Sequence, residues 1–265
     1  MTPQVPTSKF GRWWWLALAS FAIGLVVLAP AALLEWASGQ TPNAKLRFIA
    51  DAGTVWTGRG RVVLAAEGVP VIIPLQWRFD PLSLVRLRLA FYIEADGPAL
   101  SGATHIGFRF RDFELRDTAM NADARLLSMA NSAATLAAPA GKVRLQQSID
   151  EHLTVSPATN NTQAWRVDGS MGISAEQLAF GGIINWPASS HALKLQGDGA
   201  MISMSILRSS GPLKFEGAGT VALAAPRRFT FSGFATAAAD APAALKQLGP
   251  VLADGRQRIE INTPW

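Results

Sequence analysis

The sequence predicts a mainly β protein: one amino-terminal transmembrane helix, then an antiparallel β-rich domain forming an extended curved sheet or a flattened barrel or sandwich, with one or two short helices. Three observations carry this. A single uncharged apolar run, Trp13 to Leu34, stands near the start. From Lys45 onward, apolar and polar residues alternate with a period of two, the pattern of a strand with one dry face. Glycine and proline punctuate the alternating runs, as at Gly181-Gly182, Gly197-Asp198-Gly199 and Gly211-Pro212, which is the spacing of hairpins.

The chain divides accordingly into a cytoplasmic stub at 1–12, an anchor at 13–34, a linker at 35–44 and an exported β-rich domain at 45–265. A helix over the apolar run is long enough for a hydrocarbon core of about 30 Å. Lys9 and Arg12 precede it and no Lys or Arg follows until Lys45, so positive-inside bias keeps the amino terminus cytoplasmic. Trp13, Trp14 and Trp15 fall where an interfacial aromatic belt lies. A cleaved signal peptide ending at Ala29-Pro30-Ala31 is the alternative, and both readings export the body.

Cys is absent, which removes disulfides, thiolate nucleophiles and thiolate metal sites together. The net charge of +5 comes from Lys and Arg scattered singly along strand-like segments, which argues against a nucleic-acid partner and suits a solvated face or an anionic bilayer.

Leu46 and Phe48 alternate with Lys45 and Arg47, and Leu75, Trp77 and Phe79 with Gln76, Arg78 and Asp80. The longest alternation, Val85, Leu87, Leu89, Phe91 and Ile93, predicts one strand of nearly 30 Å at about 3.3 Å per residue. With Leu75 and Trp77 it forms the candidate apolar face. Between Phe108/Phe110 and Phe113/Leu115 the phase flips, which predicts a bulge or bend at Arg111-Asp112. Shorter runs follow at Val143/Leu145, Trp165/Val167, Leu193/Leu195, Ile202/Met204/Ile206, Leu213/Phe215, Phe229/Phe231 and Ile259/Ile261. Met120–Ala138 reads as a helix or a loose connection, and Ala241–Leu252 as a short helix. Leu193–Gly199 and Leu213–Gly219 share the pattern apolar-Lys-apolar-polar-Gly-x-Gly, as successive hairpins of a meander would.

No catalytic, cofactor or metal site is legible. His105, His152 and His191 lack ligand spacing, and Asp112 and Glu114, beside Arg109, Arg111 and Arg116, read as a solvated charge-paired strand. Nucleophile-elbow, phosphate-loop and dinucleotide motifs are missing, so an enzyme is not expected. Gly53-Thr54-Val55-Trp56-Thr57-Gly58 is distinctive: two glycines bracket a large aromatic, as where backbones approach closely. Trp56, Trp77, Trp165 and Trp186 read as core residues.

Three features together resemble protein N of the type II (general) secretion pathway: the single anchor, Gly53–Gly58, and Leu75-Gln76-Trp77-Arg78-Phe79-Asp80-Pro81. Leu248-Gly249, then Asp254-Gly255-Arg256 and a final strand, match the family's closing pattern. The resemblance implies a non-enzymatic inner-membrane component of a machine that exports folded proteins, with no catalytic residues or cofactors and with other secretion components as partners. Contact through the edge of the Val85–Ile93 strand is the expected mode. The rival reading is a lipid-binding or lipid-transfer carrier whose apolar face (Leu75, Trp77, Val85, Leu87, Leu89, Phe91) lines an open groove. A hydrolase would need the three histidines to converge with acids in one cleft.

Overall fold

The computed structural model of the 265-residue chain describes residues 10–40, 46–65, 70–126, 138–148, 151–157, 165–181, 185–239, 241 and 249–264. Two helices, α1 (Phe10–Val27) and α2 (Ala32–Gly39), precede fourteen strands. These are β1 (Leu46–Gly53), β2 (Thr57–Leu64), β3 (Val71–Asp80), β4 (Leu89–Asp96), β5 (Leu100–Arg109), β6 (Asp112–Asp123) and β7 (Pro139–Gln146). Then follow β8 (His152–Pro157), β9 (Trp165–Gly181), β10 (Asn185–Gly199), β11 (Met201–Ser210), β12 (Leu213–Ala222), β13 (Arg228–Ala237) and β14 (Gln257–Pro264). All pair antiparallel in one sheet in nearly sequential order, from β1 at one edge to β14 at the other. Of the expected architectures it is the extended sheet: among the described residues β1 and β14 do not pair to close a barrel.

The period-two pattern places the apolar residues of successive strands on one face, because directly opposed residues point the same way. Trp77 opposes Ile93 and Phe79 opposes Phe91; Phe91 opposes Ile106, and Ile106 opposes Leu115. Farther along, Met171, Leu195 and Met204 lie in one row, and Phe231 opposes Ile261. Trp77, Met171 and Phe231 are buried, whereas Leu75, Phe91, Ile93, Leu195 and Met204 are only half-buried. Burial concentrates around Leu213 and Ala235, with Phe215 and Ile259 packed against them.

β7 and β8 share one slot in the sheet. Both run antiparallel to β6, β7 against Ala119–Asp123 and β8 against Phe113–Arg116, and both pair with β9. Gln147 fills the interruption between them. Its N–H donates to Thr118 O (2.8 Å), its Oε1 accepts from Thr118 N (3.2 Å), and its Nε2 reaches Leu115 O and Ser170 O, each at 3.4 Å. A side-chain amide carries the same donor and acceptor as a peptide group, so it replaces the missing ladder rung.

Several expectations are corrected. The single helix over Trp13–Leu34 is instead broken: α1 ends at Val27 and α2 starts at Ala32. The cause is Pro30, which has no N–H and whose ring excludes the carbonyl four residues earlier. No described helix is long and apolar enough to cross a membrane. The strand expected over Val85–Ile93 begins only at Leu89; Pro81–Arg86 is a 3-10 turn and Leu87 is left-handed (φ 53°). Asp80 starts that turn by accepting the Leu82 N–H (3.0 Å), with Pro81 fixing the first helical φ. Ser83 then locks it, donating to Asp80 O and accepting from Ala90 N (2.5 and 3.1 Å).

Of the bulge or bend expected at Arg111-Asp112, the structure has the bend, a hairpin turn through Phe110 and Arg111. Phe108 on β5 opposes Phe113 on β6, their rings 5.6 Å apart on one face. Of Met120–Ala138, the first four residues belong to β6 and 127–137 lie outside the described residues, as do 242–248 of the second expected helix. The similar segments lie on β10 and β12, yet Leu195 and Gly219 both pair with Met204. The third position of one copy is thus level with the seventh of the other, and the copies are not structurally equivalent.

Candidate functional site

The Gly53–Gly58 segment joins the helices to the sheet. Gly53 ends β1 opposite Gly58 on β2, leaving a tight loop of Thr54, Val55 and Trp56. Thr54 N donates to Thr57 O (2.8 Å), while its Oγ1 accepts from Trp56 N and Thr57 N (3.2 and 3.3 Å). Both glycines are required by space. A Cβ at Gly53 (φ +105°) would lie 2.4 Å from Thr57 O, and one at Gly58 would lie 2.5 Å from the Trp77 ring. Trp77 in turn donates from Nε1 to Thr54 O (3.1 Å), so the paired motif residues lock one another.

The loop also holds the broken helix. Trp56 Nε1 donates to Val26 O (2.7 Å), the carbonyl that a residue at position 30 would bond in a continuous helix. Val55 N donates to Ala29 O (2.9 Å) and Ala31 N to Gly53 O (3.1 Å), with Pro30 and Thr54 forming an antiparallel bridge. On its other side Trp56 packs edge-on to Phe79 (5.0 Å) and accepts the Phe79 N–H. Glu35 of α2 accepts the Ala50 N–H at the β1 irregularity (3.3 Å), so the outer edge of β1 is covered by the chain's own α2.

The closing motif lies at the opposite edge. Gly249-Pro250-Val251 folds against the start of β14, with Arg258 N donating to Pro250 O (3.0 Å) and Val251 bridging Gln257. A Cβ at Gly249 would meet Arg258 O at 2.0 Å. Asp254 accepts from Arg256 N (3.0 Å) and Nε (2.6 Å) across Gly255 (φ +80°), and the Arg256 guanidinium stacks 4.6 Å from the Phe234 ring. The backbone bond from Arg256, and then its guanidinium, hold the Asp254 carboxyl below its ordinary pKa. This turn covers only the first residues of β14.

Of the predicted apolar face, Leu75 and Trp77 (β3) and Leu89, Phe91 and Ile93 (β4) share one side of the sheet, while Val85 and Leu87 stand off it, exposed. β4 is internal, paired with β3 and β5, so the edge contact expected of it is ruled out. Glu114 is buried between Arg88 and Arg116 instead of solvated, and Asp112 is exposed. His105 and His152 flank Arg116 in adjacent strands, with Asp117 3.4 Å from His105. His191, on β10, pairs with Ser209 (2.9 Å) and is held below its ordinary pKa by burial. The three do not gather, and no metal-binding cluster exists among the described residues. A groove of about 470 Å³ crosses β10–β14, over Met204, Gly219, Phe231 and Ile261, on strands other than those expected to line it. Trp165 is exposed. Pro30 and Gln147 were not among the candidates; a proline inside an apolar run is a readable signal, and the glutamine has none.

These features define a class: an open antiparallel meander with one motif at each edge. A family model described as type II secretion system (T2SS), protein N matches residues 50–260. The chain belongs to that family, which makes it a type II secretion component of the cell envelope, involved in protein transport and interacting with other components of the system. No curated protein and no solved structure matches significantly.

Proposed function

We propose that this chain is a non-enzymatic accessory component of type II secretion, anchored in the inner membrane by α1 with its amino terminus cytoplasmic, and acting through protein contacts of a periplasmic sheet. One feature supports the anchor and one constrains it. Trp13, Leu16, Phe21, Ile23 and Leu25, on different sides of α1, are all exposed, so the sheet does not bury the helix. Its 18 residues rise about 27 Å, a few Å short of a typical hydrocarbon core, so this reading requires the bilayer to thin around α1.

The observation that carries the contact reading is the edge of β14. Arg258 N points outward, to Pro250 O, so the alternate residues Glu260 and Asn262 also present their N–H groups outward, and among the described residues nothing pairs with them. With β1 covered, this is the edge open to strand addition. Asn262→Pro removes one outward donor and leaves the β13 ladder intact. Crosslinking in cells from a residue beside it is expected to capture other secretion components in the wild-type protein and to lose them in the variant, with reduced secretion. Unchanged capture defeats the reading.

A lipid carrier is the second reading, favoured by the half-buried apolar face and the β10–β14 groove. Co-purifying acyl lipid lost in Met204→Glu, which puts a charge in the groove, supports it; lipid-free wild-type protein counts against it.

A further inference from the structure

We propose that the end of the sheet from which α1 emerges is a second membrane contact, in which the Pro81–Arg86 turn and the β5–β6 turn sit in the headgroup layer of an anionic bilayer. The inference rests on the anchor reading and extends it to the body of the protein.

Register puts these segments together. Thr57 pairs with Arg78, so the Trp56 loop and the end of β3 lie at the same end of the sheet. Leu89 pairs with Phe108, so the turn before β4 and the turn after β5 lie there too. Each connection is two strands, or about 10 Å, beyond the last. The end of α1 meets this end of the sheet through Val26, and the residue Ala29 just after it does the same, which fixes where a bilayer containing α1 must lie.

The side chains at this end are anomalous for a water-facing surface. Leu82, Val85 and Leu87 are 76%, 84% and 74% exposed, and Phe110 is 98% exposed. Leu87 and Phe110 also hold left-handed backbone (φ 53° and 51°), which bulky residues adopt at a cost and which Gly or Asn would adopt freely. Folding therefore favours other residues at both positions. Their neighbours are basic: Arg86, Arg109 and Arg111 are exposed and, among the described residues, form no ion pair. The acids at the same turns, Asp80 and Asp112, are two against these three arginines, so the balance is positive by one charge. Apolar tips ringed by cations fit an acyl boundary beneath anionic headgroups. A protein partner would not need to lie level with the end of α1.

The chain lacks cysteine, so a single introduced one is a unique label site. Full-length protein carrying Val85→Cys or Phe110→Cys, labelled with an environment-sensitive fluorophore, is reconstituted in phosphatidylethanolamine–phosphatidylglycerol vesicles containing lipid nitroxides. Ala19→Cys in α1 reports the anchor. Ile72→Cys, eight residues or about 26 Å along β3 from Asp80, reports the far end. Labels at 85 and 110 are expected to be quenched at least about twofold by shallow nitroxides, with 72 unaffected. Reversing Arg86, Arg109 and Arg111 to Glu, or using phosphatidylcholine alone, is expected to weaken that quenching. Quenching at 19 with 85 and 110 no different from 72 overturns this proposal and leaves the anchor standing. Protection at 85 and 110 that appears only when other secretion components are added also overturns it, in favour of a protein-facing surface. Absence of quenching at 19 removes the anchor, and this proposal with it.

Discussion

The indole N–H of Trp56 occupies the carbonyl of Val26, 30 residues upstream, at 2.7 Å. Pro30 removes the donor that a continuous helix would have supplied there, and a tryptophan from the first hairpin replaces it. This bond joins the longer one from Ala29 N (3.3 Å) in closing α1, and it also ties the helix to the sheet. Trp56→Phe keeps an aromatic ring near Phe79 and deletes the donor, a loss of about 1 kcal/mol. The amides of Ala31 and Val55, which bond within the same joint, are expected to exchange faster in the variant, with the global unfolding midpoint little moved. Unaltered exchange at both would mean the indole bond does not hold the joint.

Gly58 offers no such latitude. An added Cβ meets the Trp77 ring at 2.5 Å and the Ala52 carbonyl at 2.6 Å, and backbone cannot swing aside as a flexible side chain can. Gly58→Ala is expected to destabilise by about 1–3 kcal/mol in urea denaturation. Gly39→Ala, where nothing lies within 4 Å, is the matched control and should change stability by less than about 0.5 kcal/mol. Equal effects at the two sites would refute the crowding argument.

Much of the sheet is legible because alternation is a local property: strands such as β3 and β11 follow directly from one dry face. What misleads is alternation continuing where capping chemistry wins. Val85 and Leu87 keep the period, yet Asp80, Pro81 and Ser83 specify a turn by hydrogen bonds that hydropathy does not register. The Phe108–Leu115 phase flip was visible, but a two-residue turn and a bulge shift phase alike, and only pairing of Phe108 with Phe113 separates them. The joint was half legible. The glycines announced a close approach, whereas the bond from Trp56 to a carbonyl thirty residues away depends on tertiary structure.

Gln147 tests whether a side chain can stand in for a strand. Thr118, the residue it pairs with, is only 2% exposed, so its N–H has no route to water once the amide is gone. Gln147→Leu is expected to cost about 1–3 kcal/mol, the penalty of a buried donor left unpaired. Gln147→Glu keeps the acceptor for Thr118 but turns an oxygen toward Leu115 O and Ser170 O, so its deficit should shrink on acidification as the carboxyl gains a proton. A deficit that ignores pH in the Glu variant would place the amide elsewhere.

Next to that rung, Glu151 makes the domain acid-sensitive in a defined direction. Its carboxylate accepts the Ser148 N–H at 3.1 Å and lies 3.2 Å from Lys194 Nζ. The Ser148 bond above all, opposed by partial burial and aided by Lys194, holds its pKa below 4.5. The unfolded chain therefore takes up this proton first as pH falls. The stabilisation is complete above about pH 4.5 and is lost as pH drops through the lower folded value. Glu151→Gln should be less stable than wild type near pH 7, with the difference in urea midpoint closing as pH falls below about 4.5. The Ser148 bond is the largest single cause and does not need the lysine, so Lys194→Met should retain part of that pH dependence. If Lys194→Met abolishes it instead, the ion pair governs the carboxylate and the Ser148 bond is secondary.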